Sequence, residues 1–235
     1  MPRIITSLKS TVRSLGWVDG LTYLLAQAIS RLTRGHVRII SYDLVVQPMT
    51  DGLDLPAHRG KDIEILEIVA GDPLLAAMDR PAEILEARFE QGARCLVALK
   101  KGELAGFLWW TQGPYTEDEV RCVFIPEPHG QAIWDFDVYV APRYRFSPIF
   151  PCLWHGATKQ LFAQGYRYSC SRISAFNPAS LAAHRRLGAE VVGRRLFICL
   201  GRLQLSFSRQ SPRCHISLKA RPNIKVSRLA WGSTS

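Results

Sequence analysis

Several kinds of chemistry are missing from this chain of 235 residues. None of its six cysteines forms a Cys-x-x-Cys pair, and no Cys/His cluster has the spacing of a zinc site. Cys95, Cys122, Cys170 and Cys199 lie in apolar, strand-like runs, where a free thiol behaves as a small hydrophobe. There is no P-loop, dinucleotide glycine fingerprint, Gly-x-Ser-x-Gly elbow or metal-binding triad. No apolar run reaches the ~20 residues that cross a bilayer. Residues 1–13 lack an apolar stretch followed by a small-residue cleavage site, so the cytoplasm is the expected compartment. Internal repeats and low-complexity tracts are absent as well. Acidic residues are short: 20 stand against 30 Lys and Arg, a net charge of +10.

What is present is enough for a packed core. The chain is 47% hydrophobic and 21% charged, which is ordinary for a folded domain. The basic excess favours an anionic partner. Much of it lies before residue 40 and in the tail, where Arg202, Arg209, Arg213, Lys219 and Arg221 appear without an acidic neighbour. With no recognisable nucleic-acid motif and no basic groove interleaved with aromatics, nucleic acid ranks below a phosphorylated small molecule.

The periodicity predicts a helix over Leu15 to Leu32, with Leu21, Leu24, Leu25, Ala28 and Leu32 on one stripe. Such a helix either packs on the domain or rests on a membrane or partner. Packing is the preferred reading, because the polar face is not densely basic. A strand over Val37 to Val46 follows, then a polar loop over Thr50 to Gly60 and two short helices at Ile63 to Val69 and Pro81 to Gln91. Strands are expected at Arg94 to Leu99, Leu104 to Thr111, Glu119 to Ile125 and Ala132 to Val140. The remainder reads as a helix over Pro148 to Gly165, a strand over Arg167 to Ser174, a helix opening at Asn177, strands at Val191 to Leu200 and Leu203 to Ser208, and a frayed end. This order predicts an α+β fold with a parallel step in its second half. Three segments are expected: a helical extension over 1–35, a main α+β domain over 36–210 and a basic tail over 211–235.

The densest pattern is Asn177-Pro178-Ala179-Ser180-Leu181-Ala182-Ala183-His184-Arg185-Arg186-Leu187-Gly188-Ala189. Asn177 suits a helix cap, Pro178 the first turn and Gly188 the stop. Upstream, Val138-Tyr139-Val140-Ala141-Pro142 ends a strand, and Arg143 to Phe150 leads into a helix.

Together these segments resemble the GNAT acyltransferase superfamily. The closing motif there is Asn, a small residue three on, Tyr seven on, and Gly-Phe eleven and twelve on. The corresponding residues here are Asn177, Ser180, His184, Gly188 and Ala189, with His in place of Tyr and Ala in place of Phe. The resemblance spans roughly residues 37 to 205, and its specific part is residues 134 to 193. It implies a mixed, mostly antiparallel central sheet with helices on both faces. It also implies acetyl-coenzyme A or another acyl-coenzyme A as donor, no metal, and a small-molecule amine, such as an amino sugar or amino acid, as acceptor.

The same resemblance implies donor contacts from Val138, Val140, Arg143, Arg145, Phe146, Ser147, Asn177 and Ser180. In the family, a glycine-bearing turn holds the donor pyrophosphate with backbone N–H groups. Here both glycine positions have changed, to Pro148 and Phe150. Proline removes a donor, and Arg143 and Arg145 can replace it with charge. Three outcomes stay open: altered phosphate binding, presentation of the pantetheine by an acyl carrier protein at a membrane surface, or loss of the donor site. In the last case the chain is a non-catalytic module for an anionic polymer or a partner protein.

Two proton carriers are implied. His184 stands where the family's acid protonates the departing thiolate; taken alone it would read as a surface histidine beside Arg185 and Arg186, and at this spacing the acid role is preferred. For the base, Asp135 and Asp137 lie on the strand before the phosphate turn, and Asp137 is preferred as nearer the strand end. Glu117, Asp118 and Glu119 are weaker candidates. Trp109, Trp110, Tyr115 and Trp134 either line an acceptor pocket or belong to the core.

Overall fold

A computed structural model describes residues 15–50 and 60–228. The expected loop over 51–59, the first fourteen residues and the end after 228 lie outside the described residues. The chain divides into two units. Of the described residues, the first unit takes 15–47, 119–123 and 172–228, and the second takes 48–50, 60–118 and 124–171.

In the first unit, helix α1 (Trp17–Leu32) precedes strand β1 (Val37–Pro48). Later come helix α4 (Pro178–Arg185) and strands β9 (Glu190–Leu200), β10 (Leu203–Ser208), β11 (Cys214–Ser217) and β12 (Asn223–Val226). Strands β11, β10, β9 and β1 are neighbours in that order, all antiparallel. Leu44, Phe197 and Tyr42 are buried between them and their cover. Alternating side chains on β9, with Arg195, Phe197 and Cys199 buried, follow the period-two pattern of a half-buried strand, and Val192 falls out of phase at the register shift opposite Leu44 and Val45. The tail was expected to fray; instead 223–226 is a strand with Ile224 and Val226 buried.

In the second unit the order is β7 (Ala132–Val140), β4 (Glu103–Thr111), β3 (Arg94–Lys100) and β2 (Ile63–Ile68), again antiparallel. The β3–β4 turn places Lys101 and Gly102 at φ 54° and 77°, the paired left-handed geometry that joins a tight hairpin. Helix α2 (Ala82–Glu90) and helix α3 (Ile149–Ala163) cover opposite faces. Phe89 of α2 meets Trp109, whereas Ile149 of α3 lies over Gly106, where an added Cβ would stand 2.8 Å from it. Helices on both faces of an antiparallel sheet are what the fold class predicted. Short strands β5 (Tyr115–Thr116) and β6 (Val123–Pro126) replace the single long strand expected over Glu119 to Ile125.

One predicted helix is wrong. Ile63 to Val69 forms β2, paired with β3 from Ile63↔Lys100 to Ile68↔Cys95. Its three isoleucines suit a pleated surface, and Arg94 of β3 grips Glu67 through two nitrogens at 2.6 and 2.8 Å. A ladder partner overrides a weak helical period in six residues.

Strand β8 (Tyr168–Ser174) begins in the second unit and ends in the first. Its early half pairs with β7 in parallel, from Ala132↔Tyr168 to Asp135↔Ser171. Helix α3 makes the crossover between these two parallel strands, as such a pair requires.

Candidate functional site

Strand β7 is irregular at the point where its parallel ladder stops. Pairing with β8 ends at Asp135↔Ser171, although β7 runs on to Val140. On its other edge, Trp109↔Phe136 is followed by Phe107↔Tyr139, so Asp137 and Val138 oppose the single residue Leu108. This is a β-bulge, with Asp137 at φ 50°. Aspartate is among the few non-glycine residues that tolerate this left-handed region. A bulge bends the strand and leaves an extra residue out of the ladder, here within Asp137–Val138.

Asp137 is held by an ion network. Arg80 donates to both carboxylate oxygens at 2.8 and 2.6 Å, and Arg88 donates to Oδ2 at 2.6 Å. Arg88 also reaches Asp118 at 3.0 Å and lies over the rings of Trp109 and Phe136. Burial alone would raise the Asp137 pKa, but the two guanidinium groups outweigh it and hold the carboxylate below its ordinary range. A carboxylate so neutralised is a poor base. The preference for Asp137 over Asp135 is therefore corrected: Asp137 anchors the bulge.

The upward shift falls on Asp135. It is buried at the last rung of the parallel ladder and accepts a hydrogen bond from Ser169 Oγ at 2.6 Å. Burial pushes its pKa up to about 7, against the lowering effect of Ser169 and Ser171. The alternation Trp134-Asp135-Phe136-Asp137 places two carboxylates on one strand, but nothing in it reveals which one meets the arginines of α2 and its approach. Asp118 is tied to Arg88, and Glu119 accepts from Tyr42 Oη and lies 3.8 Å from Arg172. Trp109, Trp110, Tyr115 and Trp134 are all buried. Tyr115 stacks on Phe136 at 4.1 Å and Trp134 on Phe124 at 4.3 Å, so these rings belong to the core.

The turn after β7 enters α3 through a short 3₁₀ segment, Pro142–Tyr144. Pro148 precedes the helix and Pro151 occupies its third position, so within residues 148–151 only Ile149 and Phe150 carry N–H groups. Two amides are a thin cradle for a pyrophosphate. Charge compensates in part. No acidic residue stands in the first turn of α3, and Arg145 is exposed with no ion partner among the described residues. Arg143 is engaged with Glu103 at 2.6 Å, an exposed pair of little energetic weight. Ser147 Oγ donates to the Tyr144 carbonyl at 2.6 Å, and Phe146 is fully exposed.

In the first unit, Asn177 caps α4 by accepting from Ser180 N at 3.1 Å. It also borders a cavity of about 760 Å³. Leu181, Leu196 and Phe207 give that cavity an apolar wall, and Arg185 and Arg209 bring positive charge. Its floor carries Arg194, which grips Asp43 at 2.7 Å and Asp19 at 2.6 Å. A carboxylate or phosphate on an apolar body suits such a lining.

His184 is not a surface histidine. It is 3% exposed, with Nδ1 3.2 Å from Gln47 Oε1. Burial lowers its pKa from 6.5 to about 4, so the ring is neutral near pH 7. At that pH the ring holds no imidazolium proton to give, and it acts as a hydrogen-bonding group. The unfolded ring takes up a proton below pH 6.5 that the folded ring refuses until about pH 4. The ring's contribution to stability therefore falls as the pH drops through that window. His184→Gln should remove this contribution, so the difference in urea midpoint between parent and variant should change between pH 7 and 4, and a difference that stays constant would dismiss the buried ring as its source.

No protein-family model matches the chain, and no curated protein matches it. Solved structures do. One is a conserved protein of unknown function from Staphylococcus epidermidis, 14% identical over 72% of this chain and 65% of its own, with a TM-score of 0.49. Another is a putative GNAT-family acetyltransferase from Novosphingobium aromaticivorans, 14% identical over 68% of this chain and 65% of its own, with a TM-score of 0.41. The similarity is to the GNAT fold. It extends to a GCN5-related glucosamine N-acetyltransferase region of a fungal β-N-acetylglucosaminidase, 14% identical over 72% of this chain and 22% of that one, TM-score 0.48. The chain thus spans less than two thirds of the length of each of these proteins. Among the described residues no group of three or more His, Cys, Asp or Glu is placed to hold a metal, and no helix is long and apolar enough to cross a membrane.

Proposed function

We propose that this chain is an N-acyltransferase of GNAT type, moving an acyl group from a coenzyme A thioester to the amine of a small molecule. The observation that carries this reading is the bulge at Asp137–Val138, set just beyond the last parallel rung at Asp135↔Ser171. The backbone of Val138 and Val140, beyond the end of the parallel ladder, is the proposed place for the thioester carbonyl, whose oxygen gains negative charge as the amine attacks. The carbon–nitrogen bond forms, the carbon–sulfur bond breaks, and one proton passes from the amine while one returns to the thiolate. Asp135, with its pKa near 7, takes the amine proton through a hydroxyl or water relay. His184, the residue the resemblance sets at the sulfur, is proposed to steady the departing thiolate as a neutral, hydrogen-bonding ring, while the proton shed by the amine reaches the sulfur through water. Asn177 and Ser180 remain proposed pantetheine contacts beside their capping role.

For the phosphate end of the donor, Arg145, the Ile149 and Phe150 amides and the Ser147 hydroxyl are the proposed holders, with Arg143 and Phe146 flanking them. Support comes from the unpaired Arg145 and the acid-free first turn of α3. The two prolines at 148 and 151 favour a second reading, in which the pantetheine arm arrives on an acyl carrier protein. Acceptor chemistry is proposed as an amino sugar or amino acid, the class the resemblance implies.

Calorimetric titration with acetyl-coenzyme A should give saturable binding, and Arg145→Ala should weaken it by about tenfold, the loss of one charge-assisted contact to phosphate. Turnover with an acyl carrier protein thioester alone would select the second reading. No binding of either donor and no acyl transfer to a panel of amines would overturn both.

A further inference from the structure

Helix α1 is turned inside out relative to an ordinary surface helix. Its buried or bonded positions are the small and polar ones. Gly20 and Ala26 are buried, Asp19 is gripped by Arg194 at 2.6 Å, and Tyr23 packs on Phe176 with ring centroids 5.4 Å apart. Trp17, Val18, Leu21, Leu25 and Leu32 are 74%, 75%, 58%, 55% and 85% exposed, and Ala28 is exposed with them. At ~100° per residue these six side chains share an arc of about 100°, and none of them is charged. The stripe is therefore continuous, about as long as the helix, and directed away from the side that packs on its own unit. The preference for a helix packed through its leucines is corrected here, because the residues that pack are on the other side.

The charges around the stripe identify what covers it. Residues 1–42 contain Arg3, Lys9, Arg13, Arg31, Arg34 and Arg38 against one acid, Asp19. That acid is already neutralised by Arg194. Arg31 and Arg34 are exposed at the C-terminal end of the helix. Trp17 stands at the other end, and an exposed indole beside cations is the composition of a segment seated at the headgroup level of a bilayer. A protein groove of ordinary composition would not call for exposed cations beside an uncharged stripe in so basic a segment, whereas an anionic leaflet supplies the matching charge.

We propose that α1 is a membrane-surface element that lies in the plane of an anionic bilayer, with Trp17, Leu21, Leu25 and Leu32 in the acyl region and Arg31 and Arg34 at the headgroups. This goes beyond the acyl-transfer reading and does not depend on it.

The full chain is tested by co-sedimentation with vesicles of phosphatidylglycerol and phosphatidylcholine, and with phosphatidylcholine alone. Binding should be strong on the anionic vesicles, weak on the neutral ones, and reduced by raising the salt concentration. Leu21→Asp with Leu25→Asp should lower partitioning by at least about tenfold, since two apolar insertions are lost. Because both side chains are exposed, the thermal midpoint should stay within a few degrees of the parent. Arg31→Glu with Arg34→Glu should lower binding to the anionic vesicles and leave the neutral ones unchanged. Absence of binding to anionic vesicles overturns the proposal, and so does binding that the Leu21/Leu25 pair does not reduce. A concentration-dependent dimer in sedimentation equilibrium that Leu25→Asp dissociates, without vesicle binding, would assign the stripe to a second copy of the chain and overturn it as well.

Discussion

Asp137→Ala should lower the stability of the protein by about 3–5 kcal/mol, the range for removing one partner of a buried ion pair. The Arg88 side chain is 6% exposed, and without Asp137 it would lose its 2.6 Å carboxylate and rely on Asp118, itself 28% exposed. Arg80, 29% exposed, loses less because water can reach it. The backbone contributes too: residue 137 sits at φ 50°, where alanine is strained and glycine is not. Asp137→Gly relieves the backbone yet leaves Arg88 unneutralised, so it should fall between the parent and the alanine variant. Urea denaturation at pH 7 separates the three. The network also has a definite pH dependence. The folded carboxyl titrates below its ordinary 3.8, so its stabilisation is complete above that value and disappears as the pH falls through the lowered folded pKa. An alanine variant within about 0.5 kcal/mol of the parent, the scatter of ordinary surface substitutions, would remove the network from the account of why β7 bulges.

Asp135→Asn should lower turnover by about 10²- to 10⁴-fold, the usual contribution of a positioned proton acceptor, and change donor affinity little. For the parent, kcat/KM should rise with pH and level off above about 7, as the buried carboxyl loses its proton. The asparagine variant should lack this limb. Stability supplies a readout independent of activity. The folded carboxyl keeps a proton to about pH 7 that the unfolded one releases near 3.8, so its contribution to stability should decline as pH rises between those values and be flat above, opposite in sign to that of His184. Asparagine should remove this contribution, so the stability difference between parent and variant should change across that window. Turnover equal to the parent would exclude Asp135 from the reaction, and a stability difference that does not vary with pH would exclude the raised pKa itself.

The two aspartates show how far sequence reasoning reached. Alternation on a strand correctly put both carboxylates on β7, because period-two geometry is local. Their roles then depended on which arginines arrive from residues 80 and 88, some fifty residues away in sequence, and on which carboxyl sits against serines of β8. Neither contact has a local signature. His184 makes the same point. Its spacing from Asn177 was legible, but its burial beside Gln47, 137 residues earlier, was not. Three isoleucines in β2 could have signalled a strand, since β-branched residues favour the pleat, yet six residues are too few to separate the two periods.

By itself the sequence determined the α+β order, the strand Ala132–Val140, the Asn177 cap, the glycine stop at Gly188 and the basic excess. These follow from φ/ψ preference, capping chemistry and charge, which act over a few residues. Only the tertiary structure decided that the leucines of α1 face outward, that Asp137 is an anchor and Asp135 the group near neutrality, and that the aromatic residues of β4 are core. Each of those depends on desolvation and on partners brought together from distant positions, and the free energy of burying a group is set by what surrounds it, not by its neighbours in the chain.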